Sequence, residues 1–206
     1  PLDDSEPARL IANPLYFERG PTWQVPIVLW AKAWPGTHMA FSMRHREEEN
    51  ASFQDIVSFP AFRQGWEAYS SDLIEQELML LATQPLVHIG FLQWQLRHLG
   101  KAIVDANLQN GTMKLSEAET FLEEEVGLFP EEIGLMINEV LGRPGASFSR
   151  LAGQQKFHQL RQRAKAALEG RFYVQEFHDI LLKNGEVPLS VLEKLTDTWI
   201  EENLAS

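Results

Sequence analysis

The chain contains no cysteine. Disulfides, thiolate catalysis, zinc fingers and iron–sulfur clusters are therefore excluded. Basic residues are scarce: 18 Lys and Arg stand against 29 Asp and Glu, for a net charge of -11. A general nucleic-acid or anionic-membrane binder needs clustered Lys and Arg, so neither is expected. The densest basic stretch, Arg161, Arg163 and Lys165, reads as a solvated helix face. No window is apolar for long enough to span a bilayer, so no membrane span is expected. Pro1 to Pro7 is acidic and polar and does not read as a signal peptide. There is no initiator Met, and the compartment stays open. Segments alternating apolar and polar residues are nearly absent, which argues against strands.

What is present is an ordinary globular composition, with 44% hydrophobic and 23% charged residues over 206 positions. That is enough for one helical domain with a sizeable core, taken here as residues 1–206. The first part, 1–26, is rich in proline and aromatics and reads as extended chain lying on the core. The rest, 27–206, reads as helices separated by breakers. Helices are expected from Ile27 to Trp34, Thr37 to Glu49, Ala61 to Ala82 and Leu86 to Asn107. Further ones are expected from Ser116 to Glu125, Pro130 to Gly142, Ser149 to Leu168, Val174 to Lys183 and Pro188 to Ile200. Pro35-Gly36, Gln84-Pro85, Asn110-Gly111, Pro144-Gly145 and Asn184-Gly185 supply the stops. Ser116 with Glu119 reads as a capping box. The fold class is all-α.

Several short stretches recur in one order. They are Ala33-Trp34-Pro35-Gly36, Gly65-Trp66 with Tyr69, Ile103-Val104-Asp105, the Pro144-Gly145 turn with Gly153, and a C-terminal run. That run holds Phe177-His178-Asp179, Asn184-Gly185, Val187-Pro188-Leu189 and Val191-Leu192-Glu193. Together they resemble the C-terminal part of the bacterial family catalogued as domain of unknown function 885. The resemblance implies a helical zinc-metallopeptidase frame. Family members usually carry a large helical region upstream, so this chain corresponds to a C-terminal portion of them.

The resemblance also implies a motif, H-E-x-x-P-G-H, in which two imidazoles hold zinc and the Glu polarises its water. Anchored on Pro35 and Gly36, the first His falls at Ala31, the Glu at Lys32 and the second His at Thr37. A further Glu expected before Gly-Trp is Gln64. An acid expected later on that helix is Ser71, and a His after Val-Asp is Gln109. The family's P-G-Q-A turn reads Pro144-Gly145-Ala146-Ser147, and the Tyr and Lys after it fall at Arg150 and Leu151. An ammonium at position 32 repels a divalent cation. No metal or other cofactor is expected.

The expected function is that of a catalytically inactive metallopeptidase-like protein acting in binding or as a subunit. The absent upstream region suggests a protein partner or self-association. The alternative is an enzyme with metal-free chemistry in the former cleft, using Lys32, His38 and Arg150 as acid, base or anion-binding groups. A zinc-dependent peptidase is the remote alternative. Trp30, Trp34, Gln64, Trp66 and Tyr69 are the candidate binding residues. His38 and His45, two helical turns apart, are a weaker metal pair that needs Glu48 or Glu49. His88, His98 and His178 read as structural, hydrogen-bonded histidines. Ser70, Ser71 and Ser147 lack the turn and base that would make them nucleophiles.

Overall fold

A computed structural model describes residues 9, 11, 22–45, 57–78 and 83–205. Among these the regular structure is helical and no strand occurs, in agreement with the all-α expectation. A 3-10 turn at Thr22–Gln24 leads into α1 (Val25–Lys32), followed by α2 (Thr37–His45), α3 (Pro60–Leu78) and α4 (Pro85–Gln109). Then come α5 (Leu115–Glu124), α6 (Pro130–Gly142), α7 (Ala146–Leu168), α8 (Val174–Leu182) and α9 (Leu189–Ala205). The extended segment expected to reach residue 26 ends earlier. Pro26 already lies in the first turn of α1, where its missing N–H leaves no helical bond unmade. The expected ends of the second and third helices, 46–49 and 79–82, lie outside the described residues.

The central pair is α3 against α7. Glycine permits it. A Cβ on Gly153 would sit 1.8 Å from the Ala61 carbonyl oxygen, and one on Gly65 would sit 2.5 Å from the Gly153 Cα. The two backbones therefore touch where these glycines cross, at a separation no side chain tolerates. Around the crossing, Phe62, Trp66 and Tyr69 of α3 pack with Phe157 and Leu160 of α7. Phe177 and Leu181 of α8 and Leu192 and Trp199 of α9 complete this core. A second cluster joins Val104 of α4 to Leu122 of α5 and to Ile133, Met136 and Val140 of α6. A third joins Ile27 of α1 to Val87 and Phe91 of α4.

The C-terminal run acts as a clamp on α3. Glu186 accepts from the Phe59 amide at 2.8 Å and the Ser58 hydroxyl at 3.2 Å, satisfying donors at the start of α3. His178 Nε2 lies 2.9 Å from the Tyr69 hydroxyl. Burial, then Arg161, push His178 down to about 4, so it is neutral at physiological pH and the Tyr69 hydroxyl can donate to it. One cap and one set of ion pairs differ from expectation or add to it. Helix α5 starts one residue early, and its box closes from Glu117 onto the Lys114 amide at 2.7 Å, not through Ser116 and Glu119. Arg163, in the basic stretch, bridges to Glu193 and Asp197 of α9.

Candidate functional site

The end of α1, the turn after it and the start of α2 face the middle of α3. Gly36 makes this turn possible, since a Cβ there would lie 1.9 Å from the Ala31 carbonyl oxygen. The Trp34–Pro35 peptide is cis, and the Trp66 indole N–H donates to the Pro35 carbonyl at 2.9 Å. The turn thus binds to α3 through two members of the sequence motifs.

Its consequence is a charged hub. Glu67 projects from α3 and is 5% exposed. The Lys32 ammonium donates to its Oε2 at 2.6 Å, and the Arg150 guanidinium of α7 donates to Oε1 at 2.8 Å. The Thr37 hydroxyl is placed to donate either to Oε2, at 3.1 Å, or to the Ala31 carbonyl, at 3.3 Å. Three positions that the resemblance marked as changed, Lys32, Thr37 and Arg150, therefore meet on one carboxylate. Ala31, a fourth, is fully buried beside them.

Arg150 is buried too, with its Cζ 5.9 Å from the centre of the Trp94 ring. Burial lowers its pKa from the ordinary value and Glu67 pulls it back up. His98 lies in the same wall, 4.8 Å from Trp94 in a T-shaped contact. Burial, followed by Arg150, Lys101, Lys32 and Arg97, push His98 down to about 2, so it is neutral. Its Nε2 is buried without a hydrogen-bond partner among the described residues, unlike the bonded histidine expected there.

Two cavities share this wall. A cleft of ≈ 510 Å³ opens past Lys32, Gln64, Glu67, Lys101 and Arg143. A smaller one of ≈ 170 Å³ lies behind Arg150 and His98, against Ser71, Asp72 and Trp94. In the smaller one Asp72 accepts from Gln154 at 2.6 Å and lies 2.8 Å from His158 Nε2. At the rim of the larger one Asp105 is fully buried and holds the start of α7. It accepts from the Gly145 amide at 2.9 Å, the Ser147 amide at 3.3 Å and the Ser147 hydroxyl. Gly145 has a φ of 76°, the left-handed region that favours glycine. The Val-Asp and Pro-Gly motifs, 40 residues apart, are thus two halves of one contact.

The other sequence candidates scatter. His38 is exposed and pairs with Ser42 on its own helix, away from Lys32 and Arg150. Trp34 is 64% exposed, and Trp30 packs against the Ile27 cluster. Trp66 and Tyr69 are core residues, 1% and 0% exposed, and present no surface to a ligand. Ser70 and Ser71 spend their hydroxyls on the Glu67 carbonyl. Gln109 is exposed at the far end of α4. Glu48 and Glu49 lie outside the described residues. Among the described residues no group of three His, Asp or Glu side chains could hold a metal ion. Glu67 itself escaped the sequence reading. The signal was an acid set between Trp66 and Ala68 in a helix that carries Phe62, Trp66, Tyr69 and Leu73 at helical spacing. Such an acid is almost never buried unpaired.

No helix among the described residues is long and apolar enough to cross a membrane. No curated protein matches the chain. Solved structures do, among them the following two. One is a candidate lipoprotein from Colwellia psychrerythraea, 26% identical with a TM-score of 0.82, over 88% of this chain and 31% of that one. The other is a candidate lipoprotein of unknown function from Shewanella oneidensis, 18% identical with a TM-score of 0.75, over 84% of this chain and 31% of that one. The chain thus spans 31% of the length of each of these relatives. A family model described as bacterial protein of unknown function, DUF885, matches residues 1–195, and the chain belongs to that family.

Proposed function

We propose that this chain is a non-hydrolytic, metallopeptidase-like helical domain that serves binding or assembly, with an ion-pair hub where a zinc centre would need its ligands. The observation that carries this reading is the pairing of Lys32 and Arg150 with the two oxygens of Glu67. A metal ligand needs a free lone pair directed at an open position. Both Glu67 oxygens are already engaged, and the neighbouring positions offer a methyl at Ala31, a hydroxyl at Thr37 and an amide at Gln64. Lys32, Arg150 and Glu67 sum to one positive charge, so a divalent ion placed among them meets net repulsion, on the order of a few kcal/mol at an effective dielectric of ~20. That outweighs what a hydroxyl and an amide return.

The alternative, metal-free catalysis, draws support from the cleft that keeps Lys32 and Arg150 at its wall. The carboxylates lining it are engaged: Glu67 by Lys32 and Arg150, Asp105 by the Gly145 and Ser147 amides, and Glu139 by Lys101. His38 stands elsewhere, and His98 is neutral with a pKa too low to exchange protons near pH 7. Zinc-dependent hydrolysis is the remotest reading. The test is a peptide-library digestion with zinc supplied, analysed by mass spectrometry. No cleavage above a Glu67→Gln, Arg150→Met control is expected. Cleavage that needs zinc and the native hub residues would overturn the proposal.

A further inference from the structure

Arg150 is 8% exposed, yet only its Nη1 is bonded to protein, through Glu67. Its other nitrogens have no hydrogen-bond partner among the described residues. None of them is sealed from solvent either, so these donors open onto the two cavities whose wall Arg150 forms. A buried guanidinium ordinarily spends its fork of donors on oxygens. Most of this fork is left for something that enters.

The two cavities differ in charge. In the smaller one Asp72 balances Arg150. The larger is lined by four cations, Lys32, Lys101, Arg143 and Arg150, against three carboxylates. Those carboxylates are already held, and one of them, Glu139, takes Lys101. Arg143, at the end of α6, is exposed and carries no ion pair among the described residues. The cleft thus keeps a surplus of one positive charge in a chain of net charge -11. At physiological ionic strength charges beyond about 8 Å are largely screened, so an entering group responds to this local surplus.

We propose that the larger cleft binds a small organic carboxylate, its anionic end received by Arg150, Lys32 and Arg143. A planar carboxylate matches a guanidinium fork with two parallel hydrogen bonds. Its single charge matches the surplus, which a dianionic phosphate would exceed. The volume of ≈ 510 Å³ suits a whole small molecule and is far more than a bare ion needs. Val140 and Ala146 give the body of that molecule an apolar wall, and Gln64 and Asn138 give it carboxamides. The proposal rests on the binding reading of the cleft and names the class of its ligand. Digestion reads cleavage and a titration reads occupancy, so the two ideas fail separately.

The test is a titration of the full chain with benzoate, its neutral isostere benzamide and inorganic phosphate, followed by amide NMR at constant ionic strength. Benzoate is expected to shift the Gly142 and Ala146 amides saturably, with a Kd on the order of 1 mM and at least about tenfold below those of benzamide and phosphate. Arg143→Gln should weaken benzoate binding about tenfold, the loss of one charge-assisted hydrogen bond. Lys165→Gln removes the same charge from an exposed site on α7 outside the cleft and should leave binding unchanged. No saturable shift up to about 10 mM benzoate, equal binding of benzamide, tighter binding of phosphate, or equal effects of the two substitutions would overturn the proposal.

Discussion

Replacing Glu67 by Gln tests the hub where its energetics are most lopsided. The change keeps shape and removes charge, leaving Lys32 and Arg150 facing a neutral amide. Their cost is unequal. The Arg150 side chain is 10% exposed, whereas Lys32 is 47% exposed. A buried charge stripped of its partner costs about 3–5 kcal/mol. A half-exposed ammonium turns to water, and its ion pair contributes no more than about 1 kcal/mol. Glu67→Gln should therefore destabilise by about 3–4 kcal/mol, nearly all of it through Arg150. Lys32→Met should cost no more than about 1 kcal/mol. The Glu67→Gln/Arg150→Met double variant should recover much of the loss, because it removes both buried charges. Urea unfolding followed by circular dichroism reads all four proteins, with the m-value checked for constancy. Equal losses in Glu67→Gln and Lys32→Met, or no recovery in the double variant, would refute the reasoning.

Other consequences are as specific. Gly153→Ala drives a methyl into the Ala61 carbonyl 1.8 Å away, so the α3–α7 crossing must open; a loss above about 3 kcal/mol, or failure to fold, is expected by thermal melting. Tyr69→Phe removes the donor to His178 and should cost about 1–2 kcal/mol in the same urea titration. Asp105→Ala unties the start of α7 and should cost about 2–3 kcal/mol, with faster amide exchange at Gly145 and Ser147. Acid should weaken the fold before the carboxylates titrate. His98 and His178 are held at about 2 and about 4, both below the ordinary 6.5. Above 6.5 neither state binds these protons; as pH falls below it, only the unfolded chain does. Stability should drop by up to about 1.4 kcal/mol per pH unit for each histidine between pH 6 and 4.5, and a flat profile there would contradict the burial of both.

The helices were legible because their punctuation is chemical. Pro85, Pro130 and Gly145 end or begin elements for reasons a sequence displays, and the expected and observed bounds of α6 coincide at Pro130 and Gly142. The neighbourhood of the site was legible too, since Lys32, Thr37 and Arg150 were singled out by the family resemblance and meet in space. The hub's centre was not. Glu67 lies in no motif, and its role comes from partners 35 and 83 residues away, which periodicity along one helix cannot reveal. Trp66 and Tyr69 misled for the opposite reason: large aromatics beside a motif fit a cleft and a core equally well until burial decides. His38 was placed by proximity to the motif, but the rotation of about 100° from Thr37 to the next residue carries it to solvent.

Zinc stoichiometry tests the claim of a metal-free hub most directly. Protein purified without chelator, then dialysed against a slight excess of zinc and against zinc-free buffer, is assayed by inductively coupled plasma mass spectrometry. A zinc-to-protein ratio far below one in the final dialysate is predicted, with Glu67→Gln no different. A ratio near one that falls in Glu67→Gln would contradict it.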